Sequence, residues 1–420
     1  MKHKKIVIDP ITRIEGHLRI EVEVDEEGIV REAYASGQLF RGIEIILQGR
    51  DPRDAGLLAG RICGVCTNSH FRAAVSSVED AYALELPKNA EIIRDLMSMA
   101  LFIQDHVVHF YHLHALDFAD VTSALSANPK LTSKEAHKYT KRPFRNSHSH
   151  YEAVIEKLGK FVQSGRLGPF ANGYWGHSGY KLTPEQNLII ISHYLEALKF
   201  QTNISKAVAI FGGKTPHPQS IVVGGITSVA DMLNPQRLND YLFVIKEAKE
   251  FDRAWYQGDE VCYTDLNPDG SLKTEKNEDK YSWIKAPRYD NKTMETGPLA
   301  RVLISYARDN TLIKSFVDEF LEATDLELMD LCTTVGRNAA RAIETEYICE
   351  YIFKLLSRLI QNIKYYDTDT WAKFDFESLE KNAKGRSFYE VPRGTLSHFV
   401  KILSLIHISE PTRLLSISYA

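Results

Sequence analysis

The 420-residue sequence predicts a mainly α-helical protein, a bundle of long helices with an N-terminal antiparallel β-hairpin layer and short strands at its periphery. Helical spacing of apolar residues dominates the chain, and several segments are apolar over more than a narrow stripe, as helices inside a bundle are. Strict alternation over 18–24, then the turn sequence DEEG and IVREAYAS, predicts a hairpin with one buried face. The predicted helices span 67–85, 90–118, 150–165, 184–210, 229–254, 311–323 and 336–365.

Composition and charge exclude several classes of protein. Apolar residues make up 44% and charged residues 25% of the chain, and the net charge is −4 without a dense basic run, which argues against nucleic-acid binding. No stretch approaches the roughly 18 apolar residues of a membrane span, and the N-terminus lacks the apolar core of a signal peptide. The polar segment 256–292 is expected to be a surface excursion at a lobe boundary.

The sequence RICGVCTNSH at 61–70 carries the strongest chemical signal. Cys63 and Cys66 form a C-x-x-C pair, and His70 follows four residues later, at the start of a segment with helical spacing. Such a pair can share one metal, Gly64 allows a tight turn, and a helix N-terminus favours thiolate over thiol. His70 should face back toward Cys66, which suits a hydrogen bond to a sulfur as well as direct ligation.

Three plainer interpretations of the pair stay open on these residues alone: half of a structural zinc site, a thioredoxin-like disulfide, or two buried structural thiols. The other cysteines, Cys262, Cys332 and Cys349, lie far apart. They cannot be matched to the closely spaced thiolates of an iron–sulfur cluster, so a chain of this kind that handles electrons needs a partner to carry them.

Seven segments, in order and covering about residues 1–401, together resemble the large subunit of nickel–iron hydrogenases. The resemblance implies a nickel and an iron bridged by cysteine sulfurs inside the helical bundle, with carbon monoxide and cyanide on the iron. It also implies reversible H2 oxidation, with electrons passed to a small subunit that alone holds iron–sulfur clusters. The segments are DPITRIEGHLRIEVEV (9–24), FRGIEIILQGRDPRDAG (40–56), GRICGVCTNSH (60–70), DHVVHFYHLHALDF (105–118), GGKTPHPQSIVVGGI (212–226), GRNAARAIE (336–344) and EVPRGTLSH (390–398).

By the same resemblance, Cys63 is a terminal nickel ligand, Cys66 bridges nickel and iron, and His70 hydrogen-bonds the bridging sulfur. Soft thiolates suit late, polarisable metals. Glu15 of RIEGH is implied to begin the proton path, because heterolytic splitting of H2 needs a base near the metal. The alternative for Glu15 is a pairing with Arg13 on one strand face.

Four further residues take implied roles. Glu44 of RGIE would bind Mg²⁺ through its carboxylate, and its alternative is an ordinary solvated residue at a helix start. Asp105, Pro392 and Arg393 would form a canopy over the metals, with the guanidinium above the open nickel–iron position and the carboxylate orienting it. For Asp105 by itself, a helix-surface acid is the alternative.

The remaining histidines are predicted to be structural. His106, His109, His112 and His114 are spread around a helix, so we expect hydrogen-bonded packing residues or residues at a subunit interface. His217 lies between two prolines in a rigid loop, where a structural role is favoured over ligation.

The resemblance stops after about residue 401. The following LSLIHISEPTRLLSISYA resembles translated adapter sequence, so 402–420 are expected to be a non-native tail on an incomplete large-subunit domain at 1–401. The family's second motif, Asp-Pro-Cys-x-x-Cys-x-x-His, is absent. The 420 residues by themselves are therefore expected to be inactive and to expose core surface.

The motifs point to a respiratory uptake enzyme. Such an enzyme would be exported by the signal of its small subunit to the periplasmic side of the bacterial inner membrane, joined to a cytochrome b-type anchor and assembled by maturation proteins. Two other functions stay open: an H2-sensing regulatory subunit, and a metal-free quinone-site subunit related to respiratory complex I. Retention of both Cys63 and Cys66 argues against the latter.

Overall fold

The computed structural model describes residues 4–139, 145–165, 176–227, 235–251, 288–289, 292–379, 382–404 and 407–410. The polar segment expected at 256–292 lies outside the described residues except for 288–289 and 292, and Cys262 lies outside them as well. Among the described residues, no helix combines the length and apolar character needed to cross a bilayer.

The N-terminal layer is a three-stranded antiparallel sheet in the order β1-β2-β3. The predicted hairpin is present as β2 (Leu18–Val24) and β3 (Val30–Gly37), and β1 (Lys4–Ile8) adds the third strand along β2. The single buried face expected of it was wrong, because β2 is half-buried along its whole length and β3 is exposed except at its C-terminal end. Asp25 closes the hairpin turn, because its Oδ1 accepts hydrogen bonds from the backbone N–H groups of Glu27 and Ile29, each 2.9 Å long.

Helices make up most of the rest, as predicted. Parts of all seven predicted helices are present. The helix expected at 90–118 divides at a π-helical turn, His109–His114. Two helices of ten or more residues, Pro129–Tyr139 and Pro298–Ala307, were missed. The helices are α1 (Ile43–Leu47), α2 (Ala55–Ala59), α3 (Thr67–Ala81), α4 (Lys88–Val108), α5 (Ala115–Phe118), α6 (Val121–Ala124), α7 (Pro129–Tyr139), α8 (His148–Gln163), α9 (Pro184–Gly212), α10 (Pro235–Phe251), α11 (Pro298–Ala307), α12 (Thr311–Thr324) and α13 (Thr334–Lys364).

The helix ends follow local sequence signals. Thr183 begins α9 with a capping box, in which its hydroxyl accepts from the Gln186 N–H and the Gln186 side chain accepts from the Thr183 N–H. Gly213, with φ 77°, ends the same helix in a conformation that side chains disfavour. Thr333 caps α13 through the N–H of Gly336.

The main core lies between the long helices α4, α9, α10 and α13. Ile93, Leu96 and Met97 of α4 are fully buried there, as are Ile191 of α9 and Leu359 of α13. A second cluster joins α11 and α12 to the N-terminal half of α13. The expected long-helix bundle is therefore present, and α4 and α13 run through its centre.

A C-terminal antiparallel sheet lies against α3. It consists of β8 (Ala383–Val391), β9 (Gly394–Ser404) and β10 (His407–Glu410), with β9 in the middle. Residues 402–404 and 407–410 of the predicted tail therefore lie in strands, and Ile402 is fully buried. Two small two-stranded ladders complete the fold: β4 (Ile221–Val222) with β5 (Gly225–Ile226), and β6 (Arg288–Tyr289) with β7 (Lys292–Thr293).

The close approach of β8 to α3 depends on small residues. A Cβ at Gly385 would lie 1.9 Å from the carbonyl oxygen of Ser77, so only glycine fits. Ser387 Oγ donates to the Ala73 carbonyl oxygen over 2.7 Å. These contacts bring the turn between β8 and β9 over the N-terminal end of α3.

Candidate metal centre

Cys63 and Cys66 lie together immediately before α3. The Cys66 N–H donates to Cys63 Sγ over 3.2 Å, and both side chains are buried, at 3% and 7% exposure. Because Thr67 is the first residue of α3, both sulfurs lie at the positive end of the helix dipole. The turn at Gly64 does not depend on glycine, because its φ is outside the left-handed region and a Cβ there would meet nothing within 4 Å.

One of the two thiols loses its proton readily and the other keeps its proton. The hydrogen bond with Cys66 and then that with His70 lower the pKa of Cys63 to about 3, against the opposing effect of burial. The pKa of Cys66 is raised well above its ordinary value, first by its hydrogen bond to Cys63 and then by burial. The pair therefore carries one negative charge, and a cation would be needed to displace the second proton.

His70 is fully buried, and its ligand atom lies within 4.8 Å of both cysteine sulfurs. The hydrogen bond that lowers a thiol pKa joins His70 to Cys63, whereas the resemblance implied the bridging sulfur, assigned to Cys66.

His398 was missed as a site residue. Its Nε2 lies 3.4 Å from His70 Nδ1, and its ring is fully buried. Burial and the neighbouring His70 hold the pKa of His398 well below its ordinary value, so the ring is neutral. The segment EVPRGTLSH contained this residue, but its contact depends on β9 lying across α3.

Arg393 and Asp105 form a buried ion pair beside the sulfurs. Arg393 Nη1 lies 2.8 Å from Asp105 Oδ2, and the residues are 7% and 1% exposed. Burial raises the pKa of Asp105 to about 6 although the guanidinium opposes the rise. Asp105 is therefore no helix-surface acid. Pro392 is buried with Arg393 in the two-residue turn between β8 and β9.

Glu15 lies in the loop between β1 and β2 and reaches Cys63. Burial, the Cys63 charge and a hydrogen bond with Cys63 raise the pKa of the Glu15 carboxyl. The alternative, a pairing with Arg13 on a strand face, was wrong, because residues 9–17 form no strand and Arg13 makes an ion pair with Asp117.

Glu44 lies in the first turn of α1 and is half-buried rather than solvated. Burial raises the pKa of its carboxyl, and the nearby His70 opposes that rise.

Comparison with known proteins identifies the family. A family model described as nickel-dependent hydrogenase matches residues 41–272 and 252–407, and one described as HoxL-like matches residues 5–36. The chain belongs to the nickel-dependent hydrogenase family. This is a family of oxidoreductases that act on H2.

Two relatives are large subunits. The quinone-reactive Ni/Fe-hydrogenase large chain of Wolinella succinogenes is 40% identical over 489 residues, and the uptake hydrogenase large subunit of Bradyrhizobium diazoefficiens is 38% identical over 504 residues. Each match covers 95% of this chain and 84% of the relative. The reduced Ni-Fe-Se hydrogenase of Desulfovibrio vulgaris Hildenborough is a similar structure, with a TM-score of 0.71, 27% identity, and coverage of 99% of this chain and 89% of that chain.

The site of this hydrogenase chain fits a soft, thiolate-bound metal. Within the described residues, Cys63, Cys66 and His70 are the one group of three or more potential ligands whose ligating atoms converge. Asp105 Oδ1 is buried beside them without a hydrogen-bond partner. A buried acceptor left unpaired next to two thiols is what a site shaped for an additional group would show.

The histidines after Asp105 are structural, as predicted. His106 Nε2 lies 2.8 Å from Glu344 Oε2, and Gln201 Nε2 lies 2.8 Å from His112 Nδ1. His109 and His114 stack at 4.5 Å, because the π-helical turn aligns residues five apart.

His217 also has a contact that fits the structural role predicted for it. Its N–H donates to Thr67 Oγ1 over 3.1 Å, which ties its loop to the first residue of α3.

Proposed function

We propose that this chain is the H2-activating large subunit of a respiratory uptake hydrogenase that catalyses H2 ⇌ 2H⁺ + 2e⁻. One observation carries the proposal: the buried Cys63–Cys66 pair lies at a helix N-terminus with the Arg393–Asp105 ion pair beside it. The uptake and quinone-reactive types named among the relatives support the respiratory assignment.

Cys63 and Cys66 would hold the metals, Cys63 as a terminal nickel ligand and Cys66 as a bridge to iron, within a set of four thiolates. When bound, a nickel–iron centre with carbon monoxide and cyanide on the iron supplies a soft, redox-active site for heterolytic cleavage of H2. His70 lowers the pKa of Cys63 and so favours its thiolate form.

Glu15 is the proposed proton acceptor. Its carboxyl is hydrogen-bonded to Cys63, so a proton that leaves the sulfur reaches Glu15 directly. The raised pKa of Glu15 makes it a stronger base than an exposed glutamate, as a group that accepts and then releases a proton near neutral pH requires.

Arg393 would act by charge rather than by proton transfer, because a guanidinium does not release its proton. The charge of the buried cation opposes the rise in the pKa of Cys66. Asp105 orients it, and Pro392 fills the same turn. A fixed positive charge in a dry site stabilises negative charge that develops there.

Glu44 is proposed as a Mg²⁺ ligand, because a half-buried carboxylate supplies the hard oxygen that this cation prefers. Binding Mg²⁺ would replace the unfavourable burial of a lone carboxylate with a charge pair. The cation would then lie next to His70, whose ring contacts Cys63.

The proposed partners follow from where the electrons must go. Since the described residues contain one convergent group of metal-ligating side chains, we assign the iron–sulfur clusters to a small subunit. A cytochrome b-type anchor would connect that complex to the quinone pool on the periplasmic side of the inner membrane. Maturation proteins would insert the metals.

Nickel content tests the proposal. A large subunit that carries these residues and all four thiolates is produced with a small subunit and maturation proteins, and nickel and H2-dependent dye reduction are measured in the purified complex. We expect about one nickel per complex, and less than roughly a tenth of that in Cys66→Ser, because a hydroxyl replaces a soft thiolate. Cys349→Ser is the control, since Cys349 is buried in the helical core on α13. Equal nickel in both variants would refute the assignment.

Turnover distinguishes the uptake enzyme from an H2 sensor, which would bind nickel and turn over slowly.

A further inference from the structure

A second arginine, Arg301, donates hydrogen bonds to the backbone of the turn that carries Arg393. Arg301 of α11 donates from Nη1 to the Val391 carbonyl oxygen over 3.0 Å and from Nη2 to the Pro392 carbonyl oxygen over 3.1 Å. Two carbonyls of one tight turn are thus fixed by one rigid guanidinium, which presents its donors in a planar fork.

Arg301 is itself immobilised. Its Nη2 lies 2.8 Å from Glu344 Oε2, its Nε also bonds Glu344 Oε1, and its Nη1 lies 2.8 Å from Glu390 Oε2. Its guanidinium carbon lies 5.2 Å from the centre of the Phe102 ring. These two carboxylates and the aromatic ring fix the orientation of the Arg301 guanidinium, and its hydrogen bonds in turn fix the position of the turn.

These contacts close a ring that returns to Arg393. Glu344 also bonds His106 Nε2 over 2.8 Å, and His106 follows Asp105, which accepts from Arg393. The ring therefore runs from Arg393 through Asp105, His106, Glu344 and Arg301 back to the turn.

The start of α11 presses on the same turn. Gly297, with φ 104°, lies so close that a Cβ there would be 2.6 Å from the Arg393 carbonyl oxygen. The turn is consequently braced by α11 through backbone contact as well as through the Arg301 side chain.

We propose that Arg301 is a positioning residue, which sets where the Arg393 guanidinium stands relative to Cys66 by fixing the turn's carbonyl groups. The functional part of this inference rests on the proposed hydrogenase activity. The geometric part does not, since it concerns contacts within the chain. A purely structural ion pair would contribute to stability and leave the order of Arg393 unchanged, so the two roles predict different measurements.

The first measurement follows the Arg393 side chain in the metal-free chain. With ¹⁵N-labelled arginine, the Arg393 Nε–H signal is assigned by its loss in Arg393→Lys, and its hydrogen exchange rate is measured. Arg301→Met, which removes both bonds to the turn, is expected to speed this exchange about tenfold, since each bond contributes about 0.5–1.5 kcal/mol and tenfold is about 1.4 kcal/mol.

Arg337→Met is the matched control. Arg337 makes two 2.8 Å bonds to Glu295 and one 2.6 Å bond to the Cys332 carbonyl oxygen, so its loss removes similar bonds and leaves those of Arg301 to the turn in place. We expect Arg393 exchange within about twofold of wild type in this variant. Equal exchange rates in Arg301→Met and Arg337→Met would overturn the proposal.

The second measurement uses the nickel-loaded complex. Arg301→Met is expected to keep its nickel and lose about tenfold in kcat, while Arg337→Met keeps both, because only the former displaces Arg393. Unchanged kcat in Arg301→Met would overturn the functional part. A wild-type complex without nickel or turnover would refute the proposed function instead, and Arg393 exchange would still decide the positioning role.

Should Arg301→Met fail to fold, Arg301→Lys takes its place. Lysine keeps the positive charge but cannot span both carbonyls and Glu344, so Arg393 exchange should rise by a smaller factor. An Arg393 exchange rate in Arg301→Lys identical to that of the wild type would count against the positioning role of Arg301.

Discussion

Replacing Arg393 with methionine should extend the pH range over which the titration of Asp105 lowers the stability of the metal-free chain. In the wild type, burial raises the pKa of Asp105 from 3.8 to about 6 while the guanidinium 2.8 Å away opposes the rise. Without that guanidinium the pKa must climb further, and buried carboxyls reach about 8–9.

The sign follows from proton binding. Between the unfolded pKa of 3.8 and the native pKa, the native chain holds a proton that the unfolded chain has released, so the free energy of unfolding falls as pH rises. The fall is about 1.4 kcal/mol per pH unit. In the wild type it is complete near pH 6 and totals roughly 3 kcal/mol. In Arg393→Met it continues to about pH 8, which adds up to roughly 3 kcal/mol.

Urea denaturation at pH 6, 7 and 8 measures this slope. Arg393→Met should lose stability over that range relative to the wild type, and the double variant Arg393→Met/Asp105→Asn should not, because the titrating carboxyl is gone. Parallel pH dependences in Arg393→Met and the wild type would refute the reasoning. If the double variant still lost stability with rising pH relative to the wild type, the titration would belong to another group, such as a thiol.

Two further substitutions follow from the geometry. Glu15→Gln in the assembled complex should keep its nickel and lose about 10²–10⁴-fold in H2-dependent dye reduction, because an amide can hydrogen-bond Cys63 but cannot accept and release a proton. Nickel analysis together with turnover checks this, and full activity would exclude Glu15 from the proton path. Gly385→Ala should lower the free energy of unfolding by about 1–3 kcal/mol or more, since the Cβ would lie 1.9 Å from the Ser77 carbonyl oxygen. Gly64→Ala is the control, because open space surrounds Gly64, and it should change the free energy of unfolding by less than about 0.5 kcal/mol. Urea denaturation measures both, and similar losses in the two variants would contradict the packing argument.

The sequence by itself determined the local parts of this protein. The apolar spacing predicted the long helices, because a helix that packs on several neighbours is apolar over more than one narrow stripe of its surface. The alternation at 18–24 with the DEEG turn predicted the hairpin. The position of the cysteine pair before a helix predicted thiolate character, which holds for Cys63, whereas the pKa of Cys66 is raised. Each of these depends on residues within a few turns of one another.

Sequence patterns failed where the signal was short or irregular. The helix expected at 90–118 contains the π-helical turn at His109–His114, which keeps helical composition and so leaves no trace in the periodicity. The polar helix α7 offered too few apolar positions to be distinguished from a loop. The ten-residue helix α11 is a short apolar run, which periodicity alone cannot distinguish from a buried strand.

Only the tertiary structure decided how the site is assembled. Asp105 and Arg393 are 288 residues apart, and His70 and His398 are 328 apart, so no local pattern fixes their distance. They meet because Gly385 and Ser387 let β8 lie directly on α3, which brings the β8–β9 turn over the cysteines. Burial then sets the chemistry: the same carboxyl that would be an ordinary acid on a helix surface becomes, next to Arg393 and away from water, a group with a pKa of about 6.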